Sequence, residues 1–437
     1  MRTTFNHTTN DTKIFKLQLL QWAQQFDDVV WLDSNPESYG DKQAYSNYDA
    51  VLAVDASTRI KTDFTQAFEQ LKAYQTTTND WIFGYLTYDL KNAVEHLTSQ
   101  NFEGLQFPDL YFFQPKKLFF FRGNHVEIQY LNEVANEFES DLKSISLELK
   151  RRPERSIKVS NDIKIKLRIH KDDYFDKINS MLAHIHRGDI YEANFCQEFY
   201  AENTAINPLE TYNKLNAISN PPFATFLKCS DKFLLSASPE RYLKKQGNTI
   251  ISQPIKGTAK RSSNEKEDAK LKHDLQQSSK ERSENIMIVD LVRNDLAKTA
   301  QKGTVAVAEL CQIYTFSQVH HMISTITSEL ANGTNPIEVI KTTFPMGSMT
   351  GAPKIAAMKI IEALEETKRG LYSGAVGYFT PSGDFDFNVV IRSILYNQTR
   401  RYVSFSVGSA ITAKSDPLKE YEECLLKAKA MRQVLED

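Results

Sequence analysis

The stretch "GAVGYFTPSGDFDFNVVIRSILYNQTRRYVSFSVGSAIT", Gly374–Thr412, decides the fold. Runs rich in β-branched and aromatic residues alternate with Gly-containing or polar turns, which reads as a meander of strands. Alternation places Arg392 on the strand "FDFNVVIRSIL", on the face opposite Phe387, Val389 and Ile391. A barely solvated Arg there needs an anionic partner. After the meander comes one helix, "LKEYEECLLKAKAMRQVLE".

Outward from this stretch, helices and strands mix without regular βαβ alternation. "PKIAAMKIIEALEE" reads as a helix with Pro353 at its first position, and "EDAKLKHDLQQSSKERSENIMIVDLVRND" as one long helical stretch. Phe175, Ile178, Leu182 and Ile185 share a helix face that Gly188 ends. "FATFLKCS", "FLLSAS" and "TIISQPI" read as strands, as do "DDVVWLDS", "YDAVLAV", "WIFGYLTYDL" and "LYFFQPKKLFFF" near the N-terminus. The expected class is α+β. The basic stretch around Arg151 and Arg152 reads as a solvated connector and marks a boundary between residues 1–160 and 161–437, two parts of one intertwined unit.

Composition narrows the function. Of 437 residues, 41% are hydrophobic and 25% charged, enough for a sizeable core. The net charge of -2 speaks against a chain built for nucleic acid or an anionic membrane. Cys196, Cys229, Cys311 and Cys424 are far apart and form no C-x-x-C, which fits a reduced compartment better than a disulfide framework or zinc site. No apolar run approaches the roughly 18–20 residues of a membrane span, and the first residues lack a signal-peptide core. The expectation is a soluble cytoplasmic protein.

Two helices carry paired carboxylates. Glu281 and Glu284 are three apart, as are Glu420 and Glu423, with Lys427 four residues further on. Either pair alone reads as a solvated face; together they can converge on one hard divalent cation such as Mg²⁺. "PMGSMTGAPK" is a Gly-rich turn opening a helix, suited to holding a carboxylate or to a plain tight turn, and it lacks the spacing of a nucleotide P-loop. The turn around Gly408 can offer backbone N–H groups nearby. His321, in the apolar "VHHMISTI", reads by itself as structural. Lys256 ends the apolar run of "TIISQPIKGTAKR": either a solvated strand end or a reactive amine aimed into a site.

Taken in order, "RGDIYEANFCQEF", "SASPERYL", "QPIKGTAKR", "ENIMIVDLVRNDL", "VHHMISTI", "GSMTGAPK", "YSGAVGYF", "VVIRS" and "EYEECLLKAKA" resemble the chorismate-utilising enzymes. That family includes anthranilate, aminodeoxychorismate, isochorismate and salicylate synthases. The resemblance implies two facing β-sheets with helices packed outside and a central active-site cleft. It implies Mg²⁺ held directly by Glu284 and Glu423 and through waters by Glu281 and Glu420. Thr258, Tyr372, Arg392, Gly408, Lys427 and Glu192 would meet substrate, and Ala410 stands where many relatives have a second glycine. Glu240 would protonate the departing C4 hydroxyl, its pKa raised by burial.

The same resemblance points to one branch. "PIKGT", with Lys256, is usual in aminodeoxychorismate synthases, whereas anthranilate synthases usually read "PIAGT". A neutral Lys256 amine would attack C2 as the C4 hydroxyl leaves, and ammonia would then attack C4 and expel the lysine. This requires the pKa of Lys256 to be depressed. Isochorismate-forming relatives carry a lysine where this chain has Glu192, and aminating relatives usually have Gln. His321 matches a histidine linked to pyruvate loss, although pyruvate is expected to be retained here. No cysteine sits in a glutaminase setting, so ammonia is expected from a separate glutaminase subunit. "WLDS" is a weak version of the "LLES" stretch that lines a tryptophan pocket in aminating relatives. Anthranilate synthase component I is the alternative reading; a silent paralogue serving as a binding subunit is the third.

Overall fold

The structure, a computed structural model, describes residues 1–36, 47–95, 97–148 and 163–436. The basic stretch around Arg151 and Arg152 and the 160/161 boundary lie outside these described residues.

Two antiparallel sheets are built from strands of both halves of the chain. The first runs, neighbour to neighbour, through Arg2–Thr8, His125–Leu131, Leu110–Arg122, Ala50–Thr62 and Asp28–Asp33. It continues through Phe223–Cys229, Lys232–Ser238, Ser393–Asn397, Tyr402–Thr412 and Glu192–Ala201. The strand Leu110–Arg122 also pairs with Ile82–Leu86 and so starts the second sheet. That sheet continues through Ala375–Phe379, Phe385–Val389, Arg241–Gln246, Thr249–Gln253 and Val319–Glu329. Ile255–Lys260 and Ala306–Thr315 then pair with the two edges of Val319–Glu329.

Side-chain alternation explains why the sheets face each other. Val29, Trp31, Leu52, Phe233, Leu235 and Phe405 point to one core, which is closed by helices such as Lys171–Arg187, Pro208–Ser219 and Pro417–Glu436. Their neighbours Val30, Val51, Leu234 and Leu395 point the other way and join Tyr242, Leu243, Val376 and Phe387 of the second sheet in another core. Helices Ala67–Thr78, Ser279–Ala297 and Pro336–Thr343 add Phe68, Ile288 and Ile340 to that core. The α+β class with facing sheets and outer helices is therefore what the chain adopts.

Four local readings change. Gly408 lies not in a turn but within the strand Tyr402–Thr412, opposite Cys196. "FDFNVVIRSIL" is two strands, Phe385–Val389 in the second sheet and Ser393–Asn397 in the first. Between them the chain crosses from one sheet to the other, and Arg392 takes a positive φ of 54°. Its direction is thus set by a turn and not by strand alternation. The long helical stretch is also two helices, Glu265–Gln277 and Ser279–Ala297. The break falls at Ser278, whose hydroxyl caps the second helix by accepting from Glu281 N at 3.3 Å. Finally, Pro353 sits in the capping position before Lys354–Leu364 and not inside its first turn.

Phe387 is 0% exposed at the centre of the second core. Phe387→Ala should lower the unfolding free energy by about 3–5 kcal/mol, read by urea denaturation; a loss below about 1 kcal/mol would contradict this packing.

Candidate active site

A cleft of about 590 Å³ opens where the two sheets and two helices meet. The short strand Ile255–Lys260 brings Lys256 and Thr258 to it, and the register pairs Thr258 with His321 on the adjacent strand. The first two turns of Ser279–Ala297 supply Glu281 and Glu284, while Pro417–Glu436 supplies Glu420, Glu423 and Lys427. Tyr372, Arg392, Gly408, Ala410 and Glu240 complete the wall. Glu192 does not line the cleft. It stands behind Lys256 with its side chain 2% exposed.

Glu240 and Arg392 come from distant segments but share one backbone junction. Val389 N donates to Glu240 O at 3.0 Å, and Ala237 N donates to Arg392 O at 3.1 Å. Burial raises the Glu240 carboxyl from 4.5 to about 7, against the hydroxyl of Ser348, the charge of Lys256 and the backbone at Ile255. Ser348 was not singled out from sequence. "PMGSMTGAPK" marks the right segment, but Ser348 and Met349 face the cleft and the N-terminus of the helix Lys354–Leu364 does not. Lys354 itself turns away to Asp295 and to the carbonyls of Thr343 and Pro345, at 3.0 and 2.9 Å.

Lys256 departs from expectation. Its Nζ donates to Glu192 Oε1 at 2.9 Å. Burial pulls its pKa down, but the charges of Glu192, Glu284 and Glu240 and the Glu192 hydrogen bond carry it above the ordinary value. The amine is therefore held as an ammonium, and the expected depression is absent because the carboxylates of Glu192, Glu284 and Glu240 together outweigh burial. His321 is driven to about 3 by burial and by the Arg392 charge, so its ring is neutral. Its Nδ1 lies 2.8 Å from Thr258 Oγ1.

The four carboxylates gather around a cation that sequence reading passed over. Burial lowers the pKa of Lys280, but Glu284, Glu420, Glu281 and Glu423 together raise it above the ordinary value. Its position next to Glu281 in the first helical turn was the available signal. Glu284 Oε1 is buried and accepts no hydrogen bond, the Lys280 ammonium standing 3.8 Å away. Burial raises Glu284 to about 7. Ser409 Oγ donates to Glu420, and Lys427 pairs with Glu423 at 2.6 Å. Among the described residues no cluster of three or more His, Cys, Asp or Glu side chains is drawn together tightly enough to hold a metal ion.

Two more cations, Arg392 and Lys427, line the cleft. Arg392 donates to Lys427 O at 3.3 Å, and Lys427 Nζ donates to Gly408 O at 2.8 Å. Among the described residues no carboxylate forms an ion pair with Arg392. Gly408 is needed for close packing, because a Cβ there would stand 2.7 Å from both Asn194 Oδ1 and Cys196 Sγ. A smaller cavity of about 140 Å³ shares Pro239 and Ile255 with this cleft and is lined in part by Leu32, Asp33 and Ser34 of "WLDS". Asp33 already pairs with Lys16 at 2.9 Å.

Residues 27–433 match the family described as chorismate binding enzyme, and the chain belongs to that family. It is 35% identical over 363 residues to an anthranilate synthase component I-like protein of Synechocystis, covering 82% of this chain and 72% of that protein. It is 40% identical over 274 residues to an aminodeoxychorismate synthase of Streptomyces griseus, covering 62% of this chain but only 37% of that longer protein. To aminodeoxychorismate synthase component 1 of Bacillus subtilis it is 30% identical over 361 residues, covering 81% of this chain and 76% of that protein. The crystal structure of anthranilate synthase component I from Streptococcus pneumoniae superposes with a TM-score of 0.74 at 24% identity, covering 90% of this chain and 94% of that one. Among the described residues no helix is long and apolar enough to cross a membrane.

The raised pKa of Glu240 has a testable linkage. Between pH 4.5 and 7 the folded chain holds this proton while the unfolded chain releases it, so this group's contribution to stability is lost as pH rises through that window. Glu240→Gln removes the effect. The variant should gain about 3 kcal/mol relative to the unaltered chain across the window, measured by denaturant titration at each pH. A pH-independent difference would contradict the burial.

Proposed function

We propose that the chain aminates chorismate at C4, as an aminodeoxychorismate synthase component I supplied with ammonia by a separate glutaminase subunit. The observation that carries this reading is the amine of Lys256, held in one cleft with the Glu240 carboxyl. Relatives bearing that name, including one called component 1, support the branch and the partner. The product would enter 4-aminobenzoate and folate synthesis.

In this reading the dianionic substrate is drawn to the cations of the cleft. Arg392 and Lys427 take its carboxylates, with Tyr372, Thr258 and the Gly408 backbone fixing the ring. Glu240 retains a proton near neutrality and gives it to the C4 hydroxyl, so that water leaves in place of hydroxide. Lys256, once neutral, attacks C2, and the ring double bonds shift as the C4–O bond breaks. Ammonia then attacks C4, the double bonds shift back and the lysine amine departs. Neutral His321 lies on the floor beside Thr258 and carries no charge to the substrate.

Mg²⁺ suits the four glutamates. The donors are all carboxylate oxygens, one of them buried without a hydrogen bond, and the open arrangement leaves room for the waters that this ion keeps. Glu284 and Glu423 would bind it directly, Glu281 and Glu420 through water; the ion would neutralise substrate carboxylate charge.

A second reading, anthranilate synthase component I, is favoured by the Synechocystis relative and by the cavity at "WLDS". The two readings differ in product. With chorismate, Mg²⁺ and ammonium chloride, chromatography and mass analysis should find 4-amino-4-deoxychorismate; anthranilate as the main product would overturn the proposal. Lys256→Ala should cut C4 amination by about 10²-fold or more, and unchanged C4 amination would refute the nucleophile role. Chelation with EDTA should abolish turnover and added Mg²⁺ should restore it.

A further inference from the structure

An ammonium has no lone pair with which to attack carbon, so Lys256 must lose a proton before it can act. Among the described residues its hydrogen bond goes to Glu192 Oε1, at 2.9 Å. Glu192 is placed by backbone and not by a loop. It pairs with Thr412 on one side and Ala352 on the other. The approach requires Gly351, where a Cβ would stand 2.1 Å from Glu192 O. The second carboxylate oxygen, Oε2, is buried and has no hydrogen-bond partner.

An ionised carboxylate with a bare buried oxygen is costly. Moving the lysine proton onto it removes two buried charges at once. The other charged groups facing Lys256 include Glu240, Glu284 and Glu423. Glu240 holds the proton needed by the leaving hydroxyl, and Glu284 and Glu423 belong to the carboxylates assigned to Mg²⁺. We propose that Glu192 is the proton acceptor for Lys256, a positioning residue that acts through the lysine and does not touch the substrate.

This rests on the C4-amination reading. The proton passes from Lys256 Nζ to Glu192, and the freed electron pair forms the N–C2 bond. The C4–O bond breaks and Glu240 protonates the departing oxygen to give water. When ammonia attacks C4, the double bonds shift back and the C2–N bond to the lysine breaks; Glu192 then returns its proton to the released amine, and the proton shed by the new C4 ammonium restores Glu240.

The test measures C4 amination by the full chain with chorismate, Mg²⁺ and ammonium chloride. The unaltered chain must first make the C4 product; failure there refutes the underlying reading. Given that product, Glu192→Gln, which keeps a hydrogen-bond acceptor but takes no proton, should lower kcat about 10²-fold or more near neutral pH with KM for chorismate little changed. Raising the pH should recover much of the loss. Glu192→Ala should be rescued by added formate, an effect that a packing role does not produce. A Glu192→Gln variant as fast as or faster than the unaltered chain, or an Ala variant indifferent to formate, would overturn the proposal and leave C4 amination standing.

Discussion

Between Val389 and Ser393 the backbone leaves one sheet and enters the other, and the site depends on that passage. A strand has two faces, and here each face of the first sheet is already committed, one to helices and one to the opposing sheet. The chain can change sheets only by leaving the extended conformation, which it does at Arg392 with a positive φ. The same passage hydrogen-bonds to Ala237 and Glu240, so an acid and a guanidinium far apart in sequence are fixed against one junction. Functional groups carried on sheet backbone are held more firmly than groups on free loops.

Both signs of charge line the cleft at this junction. The four glutamates surround Lys280, and one of them, Glu423, also pairs with Lys427. Lys256 and Glu240 share the same cleft, close enough that the lysine charge lowers the acid's pKa while burial raises it. Burial alone lowers the pKa of Lys256; carboxylates reverse that shift. The protonation of the lysine is therefore decided by its neighbours and not by its depth.

Much of the fold was legible because strand and helix periods are local. "FATFLKCS", "FLLSAS" and the N-terminal aromatic runs became strands, and the face ending at Gly188 became the helix Lys171–Arg187. Reading failed where a local pattern continued across a tertiary event. "FDFNVVIRSIL" is uniformly strand-like, yet it serves two sheets. The helical stretch before Asp295 hid a cap at Ser278, whose hydroxyl acts only when the chain bends there.

The sequence by itself determined the residue types of the site and their periodic placement: paired glutamates one helical turn apart, a lysine closing a strand and an arginine in a meander. Tertiary structure decided which groups meet. It set Lys280 among the glutamates, Ser348 beside Glu240 and Glu192 against Lys256. The physical reason is range. Hydrophobic periodicity acts within a few residues, whereas burial and Coulomb interaction depend on distances in space, and these set the charge of Lys256 and of Glu240.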